Sequence, residues 1–301
     1  MVERSVLLIF LDGVGIGKDD PEVNPFVHSS GRTLNFSQGS SRSLPRGGLC
    51  LPTDACLGVP GLPQSATGQV TLFTGENAPR LLGYHLQGFP NRALKECLQA
   101  RSIFRRVLDL GGNVTFANAY TPRFLERGRS WVSATTAMCE KAGVRLRTTS
   151  DVADDRALYF DLTNARLVEQ GFIVPLRTPE RAAEVLVALA ASHSLCLYEY
   201  FLTDRAGHRG TFEEATAVVA EIDRFVTRAV ETIDLTHSSL IICSDHGNLE
   251  DKSTRLHTLN PVPTLVWGDL RHCLPTAPTL EDIAPAIEES LGSGNGRKPA
   301  L

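Results

Sequence analysis

The sequence has no paired-cysteine motif. Its seven cysteines (Cys50, Cys56, Cys97, Cys139, Cys196, Cys243 and Cys273) are odd in number, and no CxxC occurs. That argues against a disulfide framework and against a thiolate metal site, and it fits reduced, mostly buried thiols in a cytoplasmic protein. No sign of charge dominates either. Thirty Lys and Arg stand against 34 Asp and Glu, a net charge of -4, so no basic face of the kind nucleic acid needs is implied. Long apolar runs are missing. The opening MVERSVLLIFLDG is closed by Asp12, too short to span a membrane and without the small-residue cleavage site of a signal peptide. There is no internal repeat. What is present is an ordinary globular composition, 42% apolar and 21% charged over 301 residues. That length suits one large α/β domain, or a core with a small attachment.

Apolar runs alternate with amphipathic stretches. Ser5 to Leu11, Leu195 to Leu202 and Ser239 to Cys243 read as buried strands, with Val114 to Ala117 and Thr264 to Trp267 as further ones. Leu158 to Phe160 and Phe172 to Val174 are short strand candidates. Helices are expected over Ser65 to Gly75, Arg101 to Leu110 and Pro179 to Ala191. Another should open at the capping box Thr211-Phe212-Glu213-Glu214, with Phe212, Ala215, Val218, Val219, Ile222, Phe225, Val226, Ala229 and Val230 on one face. Residues 28–63, rich in Ser, Gly and Pro, read as a long loop, and 292–301 as a disordered tail. The alternation predicts an α/β fold: a doubly wound, mostly parallel sheet flanked by helices, with ligands at the carboxyl ends of its strands.

Three of the apolar strands end in an acid: Asp12, Asp204 and Asp245. Any one alone could cap the helix that follows. Three along one sheet edge, each with more polar company, are harder to explain that way. His208 follows Asp204 by four residues, His246 adjoins Asp245, and His257 comes a loop later. His28, His85, His193, His237 and His272 have no such company. Asp and His donors suit Mn²⁺, Zn²⁺ or Mg²⁺. Two such ions ~3.5–4 Å apart form a clamp for in-line phosphoryl displacement. The stretch PQSATGQ offers Ser65 or Thr67 as a nucleophile at the start of a helix. The plainer reading of Ser65 is an N-cap. Two lookalikes fail. Gly13-Val14-Gly15-Ile16-Gly17 has the wrong glycine spacing for a dinucleotide loop, and no GxSxG elbow surrounds Ser65.

Taken in order, LIFLDGVGIG, PQSATGQ, TDRAGHRG, SDHGNLED and HTLNPVPTLV resemble the alkaline phosphatase superfamily. They are most similar to the branch of cofactor-independent phosphoglycerate mutases and phosphopentomutases. The resemblance implies two divalent ions, commonly Mn²⁺ in that branch. It implies Asp12, Ser65, Asp245 and His246 as ligands of one ion, and Asp204, His208 and His257 as ligands of the other. It also implies that Ser65, rather than Thr67, carries the phosphoryl group. There are departures. Gln69 stands where the mutases commonly have a histidine, and the room between Ser65 and Asp204 is too small for their large second domain.

The expectation is therefore a metal-binding core over residues 1–119 and 179–291, with at most a small cap or insertion over 120–178. The expected activity is two-metal phosphoryl transfer on a small phosphorylated metabolite, most simply hydrolysis through a phosphoserine. The alternatives are a compact mutase and a non-catalytic metal-binding protein. No membrane or nucleic-acid partner is expected. Arg80, Arg92, Arg101, Arg105 and Arg123 are the candidates for substrate contact, with a solvated face as the plainer reading.

Overall fold

The first strand, β1 (Ser5–Leu11), shows how the architecture is built. Its neighbouring residues point to opposite faces. Leu7, Ile9 and Leu11 enter one apolar cluster and Val6, Leu8 and Phe10 another. A strand buried on both faces needs a continuous apolar run, which is what the sequence carries. The computed structural model describes residues 4–29, 33–38, 44–126 and 132–292.

The remaining strands are β2 (Leu49–Thr53), β3 (Val114–Phe116), β4 (Ala119–Tyr120), β5 (Arg147–Thr148), β6 (Leu195–Tyr200), β7 (Ser238–Cys243) and β8 (Val262–Trp267). Six of them form one sheet in the order β2-β8-β7-β1-β6-β3. From β7 to β3 the neighbours are parallel; β8 and β2 add an antiparallel edge. Helices Pro179–Ala190 and Phe212–Thr232 cover the face of the first cluster. Helices Ser65–Thr74, Arg92–Arg101, Ala134–Ala142 and Ile283–Gly292 cover the other. This is the expected α/β fold with a mostly parallel sheet. The three strands that lead to Asp245, Asp12 and Asp204, namely β7, β1 and β6, are adjacent at its centre, so their carboxyl ends share one edge, where ligands of such sheets bind.

Beyond that edge lies a smaller lobe. The two-stranded β4–β5 ladder packs with helices Thr149–Ala153 and Ala165–Glu169 around Ala119, Val152, Ala157, Tyr159 and Leu167. Helix Ala134–Ala142, although between β4 and β5 in sequence, packs Ala134, Ala137, Met138 and Cys139 into the main core.

Several expected elements differ. The helix expected over Arg101 to Leu110 is Ile103–Asp109, and a further helix, Arg92–Arg101, not expected from the sequence, precedes it. Ser102 ends the earlier helix in an extended conformation and caps the later one through its side chain. Leu158 makes only an isolated bridge to Asn118, and 172–174 is irregular; Phe172 and Val174 pack on the lobe's cluster while Ile173 faces solvent. β6 ends at Tyr200, and Leu202 already opens a helix, Leu202–Arg209. In the expected long loop, Leu49–Thr53 pairs with β8 as an edge strand, a place that tolerates its Pro52. Residues 30–32 and 39–43 of that loop, and the expected tail from 293 on, lie outside the described residues.

Candidate metal centre

After β7 the chain bends at Asp245 and His246. The bend sends both side chains toward the strand ends, and both are fully buried. The segment bearing His257 returns beside it. Thr258 N donates to Gly247 O at 3.0 Å, and the His246 and His257 rings stack with centroids 3.6 Å apart. Helix Ser65–Thr74 approaches from the other face. A methyl group on Gly68 would come within 2.7 Å of the Asp245 carbonyl oxygen, so this approach needs a glycine. Gly13, at φ +69°, lets the chain turn after Asp12; a side chain there would meet Asp204 Oδ1 at 2.7 Å.

Two polar clusters result. In the first, His246 Nε2 lies 3.0 Å from Ser65 Oγ, 3.5 Å from Asp12 Oδ1 and 3.4 Å from Asp245 Oδ2. In the second, Asp204 Oδ1 lies 3.3 Å from His208 Nε2 and 3.8 Å from His257 Nε2, and those two nitrogens are 3.1 Å apart. Asp204 and His208 sit four apart on one helix and share its face. The structure thus brings together all seven residues, Asp12, Ser65, Asp204, His208, Asp245, His246 and His257, in the two groups expected. Asp204 also stands within reach of the first: one donor atom each from Asp12, Asp204 and His246 lies within 4.8 Å of the others.

The fit to cations can be tested on these atoms. His208 Nδ1 faces Arg255 O at 2.7 Å and His257 Nδ1 faces Pro63 O at 2.7 Å. A carbonyl only accepts, so in the neutral imidazole each Nδ1 carries the proton and each Nε2 presents a lone pair. Two lone pairs facing across 3.1 Å repel unless a cation lies between them. The same orientation of ligating histidines by backbone carbonyls is usual in metal sites. In the first cluster Asp12 Oδ1 is buried without a hydrogen-bond partner. Burial, then the charges of Asp245 and Asp204, holds the Asp12 carboxyl well above the usual range. Burial, then Asp204, pushes Asp245 up to about 7. Burial, then the neighbouring His257, drives His246 down to about 3. Crowded acids and a neutral imidazole with its Nε2 toward them are a donor set that divalent cations satisfy.

Ser65 is not an N-cap. Gln64 holds that position, extended at φ -135°, leaving the Ser65 hydroxyl in the first turn and toward His246. Thr67 is fully buried; its hydroxyl donates to Gln64 O and accepts from Leu86 N. Gln69, in place of a histidine, donates to Asp12 Oδ2 at 3.4 Å and Asp245 Oδ2 at 3.1 Å.

Other supports were not read from the sequence. Glu250, almost fully buried, accepts from Gly15 N (2.9 Å), Asn248 N (2.7 Å), Asn260 Nδ2 (3.1 Å) and the Thr258 hydroxyl. It joins the loops that follow β1 and β7 to the one carrying His257. Asn248 Nδ2 holds Asp204 Oδ1 at 2.8 Å. Their signal was the polar run Asp245 to Glu250 directly after a buried strand. Glu199, the one acid inside β6, is also buried. Arg80, Arg92, Arg101, Arg105 and Arg123 are all exposed; Arg92 pairs with Glu96 and Arg101 with Glu76.

Several known proteins resemble this chain. Residues 164–294 match the model of the Metalloenzyme superfamily, a stretch that includes Asp204, His208, Asp245, His246 and His257. Over 124 residues the chain is 32% identical to a 2,3-bisphosphoglycerate-independent phosphoglycerate mutase of Cereibacter sphaeroides. The match covers 39% of this chain and 24% of the mutase, so the chain spans about a quarter of that relative's length. Among solved structures, the PH0037 protein from Pyrococcus horikoshii covers the whole of both chains with a TM-score of 0.60 at 14% identity. A cold-active alkaline phosphatase from Shewanella sp. aligns over 94% of this chain and 99% of its own, with a TM-score of 0.53 at 12% identity. At those identities the structural likeness is one of fold. Among the described residues no helix is long and apolar enough to cross a membrane.

Proposed function

We propose that this chain is a two-metal phosphohydrolase of small phosphomonoesters that works through a phosphoserine on Ser65. The observation that carries the reading is the convergence of Ser65 Oγ, Asp12 Oδ1 and Asp245 Oδ2 around His246 Nε2, within 3.0–3.5 Å. Divalent ions held by the two clusters, Mn²⁺ in the first instance, would neutralise phosphoryl oxygens and acidify the serine hydroxyl. The chain's residues do the rest. Ser65 sits at the amino end of a ten-residue helix, where the backbone dipole favours an anion. Its oxygen bonds to phosphorus and the alcohol oxygen of the ester departs. Water then attacks the phosphoserine, releasing inorganic phosphate and restoring the hydroxyl. Gln69 fixes the two carboxylates, and Thr67, whose hydroxyl is already engaged, is not the nucleophile.

We take the lobe around β4 and β5 as a small cap. A mutase must hold a dephosphorylated intermediate away from water and re-present another of its hydroxyls, which calls for a closing, anion-rich domain. The modest size of the lobe favours water as acceptor. The cytoplasmic assignment rests on the odd cysteine count and the buried Cys139, Cys196 and Cys243. The test is turnover in ¹⁸O-labelled water with Mn²⁺. Inorganic phosphate should appear carrying solvent oxygen, with a phosphorylated Ser65 peptide on quenching. Conversion of one phosphate isomer into another with no free phosphate would make the compact mutase the correct reading. No turnover of any phosphoester by the fully metal-loaded protein would favour a binding role.

A further inference from the structure

Beside the metal centre, on the same sheet edge, lies a cavity of about 330 Å³ at the carboxyl ends of β6 and β3. It is walled by aromatic rings in contact with one another. Tyr120 stacks on Phe124 at 4.6 Å between centroids; Tyr159 lies 4.3 Å from Phe160, and Phe160 lies 4.9 Å from Phe201. Phe201 immediately precedes the helix that carries Asp204 and His208. Among the described residues lining the cavity there is no lysine or arginine, and Glu199 is the one charged side chain.

Glu199 is not an ordinary surface acid. It occupies a core position of β6, on the face shared with Leu195 and Leu197, and is 8% exposed. Its backbone is clamped by Asn118, which donates to Glu199 O at 2.7 Å and accepts from Glu199 N at 2.8 Å. One carboxylate oxygen accepts from Thr135 Oγ1 at 2.6 Å. Among the described residues no cationic side chain pairs with it. Burial pushes this carboxyl up to about 7, with the charge of Asp245 adding to the shift. A buried carboxylate without a cation is costly, and aromatic faces around it offer the quadrupole that organic cations seek.

We propose that this cavity binds the alcohol portion of the substrate, and that this portion is an organic cation of the amino-alcohol class, held between the aromatic faces and Glu199. The inference rests on the phosphohydrolase reading for the fate of the phosphoryl group. Ser65 takes that group, the P–O bond to the amino alcohol breaks, and water later completes hydrolysis. An anionic partner such as glycerate would instead meet Glu199, with no lysine or arginine among the described residues lining the cavity.

Binding and turnover can be read separately. Choline has no phosphoryl group, so its binding to the metal-loaded protein, followed by titration calorimetry, reports on the cavity alone. Saturable binding is expected, weakened about tenfold in Glu199→Gln and about threefold in Phe201→Leu. The Phe201 side chain is 36% exposed, so that second variant keeps the test alive should the first not fold. In turnover, phosphocholine should be hydrolysed with a kcat/KM about tenfold or more above that of 3-phosphoglycerate. Glu199→Gln should lower the preference for phosphocholine over phenyl phosphate. No choline binding, equal binding by Glu199→Gln, or tighter binding of benzyl alcohol than of choline would overturn the cation site. Choline binding without phosphate release from any of the three esters would support the cavity assignment while overturning the hydrolase reading. Equal release from all three without choline binding would do the reverse.

Discussion

The two halves of the metal centre are built from similar side chains and sit in different surroundings. In the half formed by Asp12, Ser65, Asp245 and His246, the Asp245 and His246 side chains have no exposure at all. In the half formed by Asp204, His208 and His257, the Asp204 and His208 side chains are 21% and 28% exposed. The Asp245–His246 pair is thus the more deeply enclosed, and Asp204 and His208 the more open, with His257 buried between them at 3% side-chain exposure. The closed half shifts its own acids and imidazole away from their usual behaviour, because it cannot hold those charges without a counter-ion. On the proposed reading, the closed half would supply the shielded corner in which the Ser65 hydroxyl is activated, and the open half would supply access for a substrate and for an exchanging ion.

The largest effect should fall on the closed half. Ser65→Ala should lower turnover about a thousandfold or more, while Thr67→Ala should cost stability by about 1–2 kcal/mol through its lost hydrogen bonds and leave most of the turnover. Steady-state kinetics alongside thermal melts would separate the two. Comparable losses of turnover in both would mean that the nucleophile has been misplaced.

A second contrast concerns the ions. Metal analysis after gel filtration should find two per chain in the parent protein. In His257→Ala the open half's ion should be lost preferentially, and in Asp245→Asn the closed half's. A chelator should strip the open half first, so that metal release is biphasic. A single phase, or equal loss of both ions in either variant, would break the division proposed here.

The sheet and the clustering of the seven candidate side chains were legible because both rest on short local signals. Apolar runs ending in Asp12, Asp204 and Asp245 showed the strands and the edge together, and the pairing of acids with His208, His246 and His257 followed. What was not legible depended on contacts distant in sequence. Ser65 looked like an N-cap because only the approach of His246, 181 residues away, shows where its hydroxyl goes. The edge strand Leu49–Thr53 carries little apolar signal, since it is paired on one side and partly exposed. The strand reading of 172–174 mistook packing on the small lobe for pairing. Glu199 and Glu250 were passed over because an isolated acid has meaning only once its surroundings are known.

The same contrast should be visible in the pH dependence of stability. Asp245 and Glu199 are raised to about 7 and Asp12 is raised well above its usual range, whereas the unfolded chain ionises such groups near pH 4. In the metal-free protein the folded state therefore binds more protons than the unfolded state between about pH 4 and pH 7. Stability should fall as pH rises through that window. His246 acts oppositely, since its folded value of about 3 lies below its unfolded one; its contribution is lost as pH falls below about 6.5. It is one group against three carboxyls, and above that pH it is neutral in both states. The Tm of EDTA-treated protein should thus be lower at pH 8 than at pH 6.5, and added Mn²⁺ should remove the difference. A metal-free Tm that rises over this interval would show that the closed half does not carry the strain described.

The smallest predicted effect tests how the halves are joined. Glu250 touches neither ligand set directly, but it accepts from Gly15 N and Asn248 N on one oxygen and from Thr258 and Asn260 on the other. All four are donors, so the site wants a group that only accepts. Glu250→Gln keeps the shape, but an NH₂ toward Gly15 N and Asn248 N leaves two backbone donors facing a donor, and an NH₂ on the other side obliges the Thr258 hydroxyl and the Asn260 amide to turn round and accept. Either arrangement disturbs a buried network, at a cost of about 1–3 kcal/mol. The strain falls on the loops after β1 and β7 and on the one bearing His257, so metal affinity should weaken about tenfold as the ligands lose their bracing. Loss should be greater for the open half, because the loop bearing His257 is tied to Glu250 directly through Thr258 and Asn260, whereas Asp12 and Asp245 keep Gln69 between them. Equal weakening of both ions, or none with an unchanged melt, would show that Glu250 does not couple the halves. Glu250→Asp supplies the control: the acceptor chemistry returns but the carboxylate is shorter, so partial recovery of affinity is expected if bracing, rather than charge alone, is what Glu250 provides.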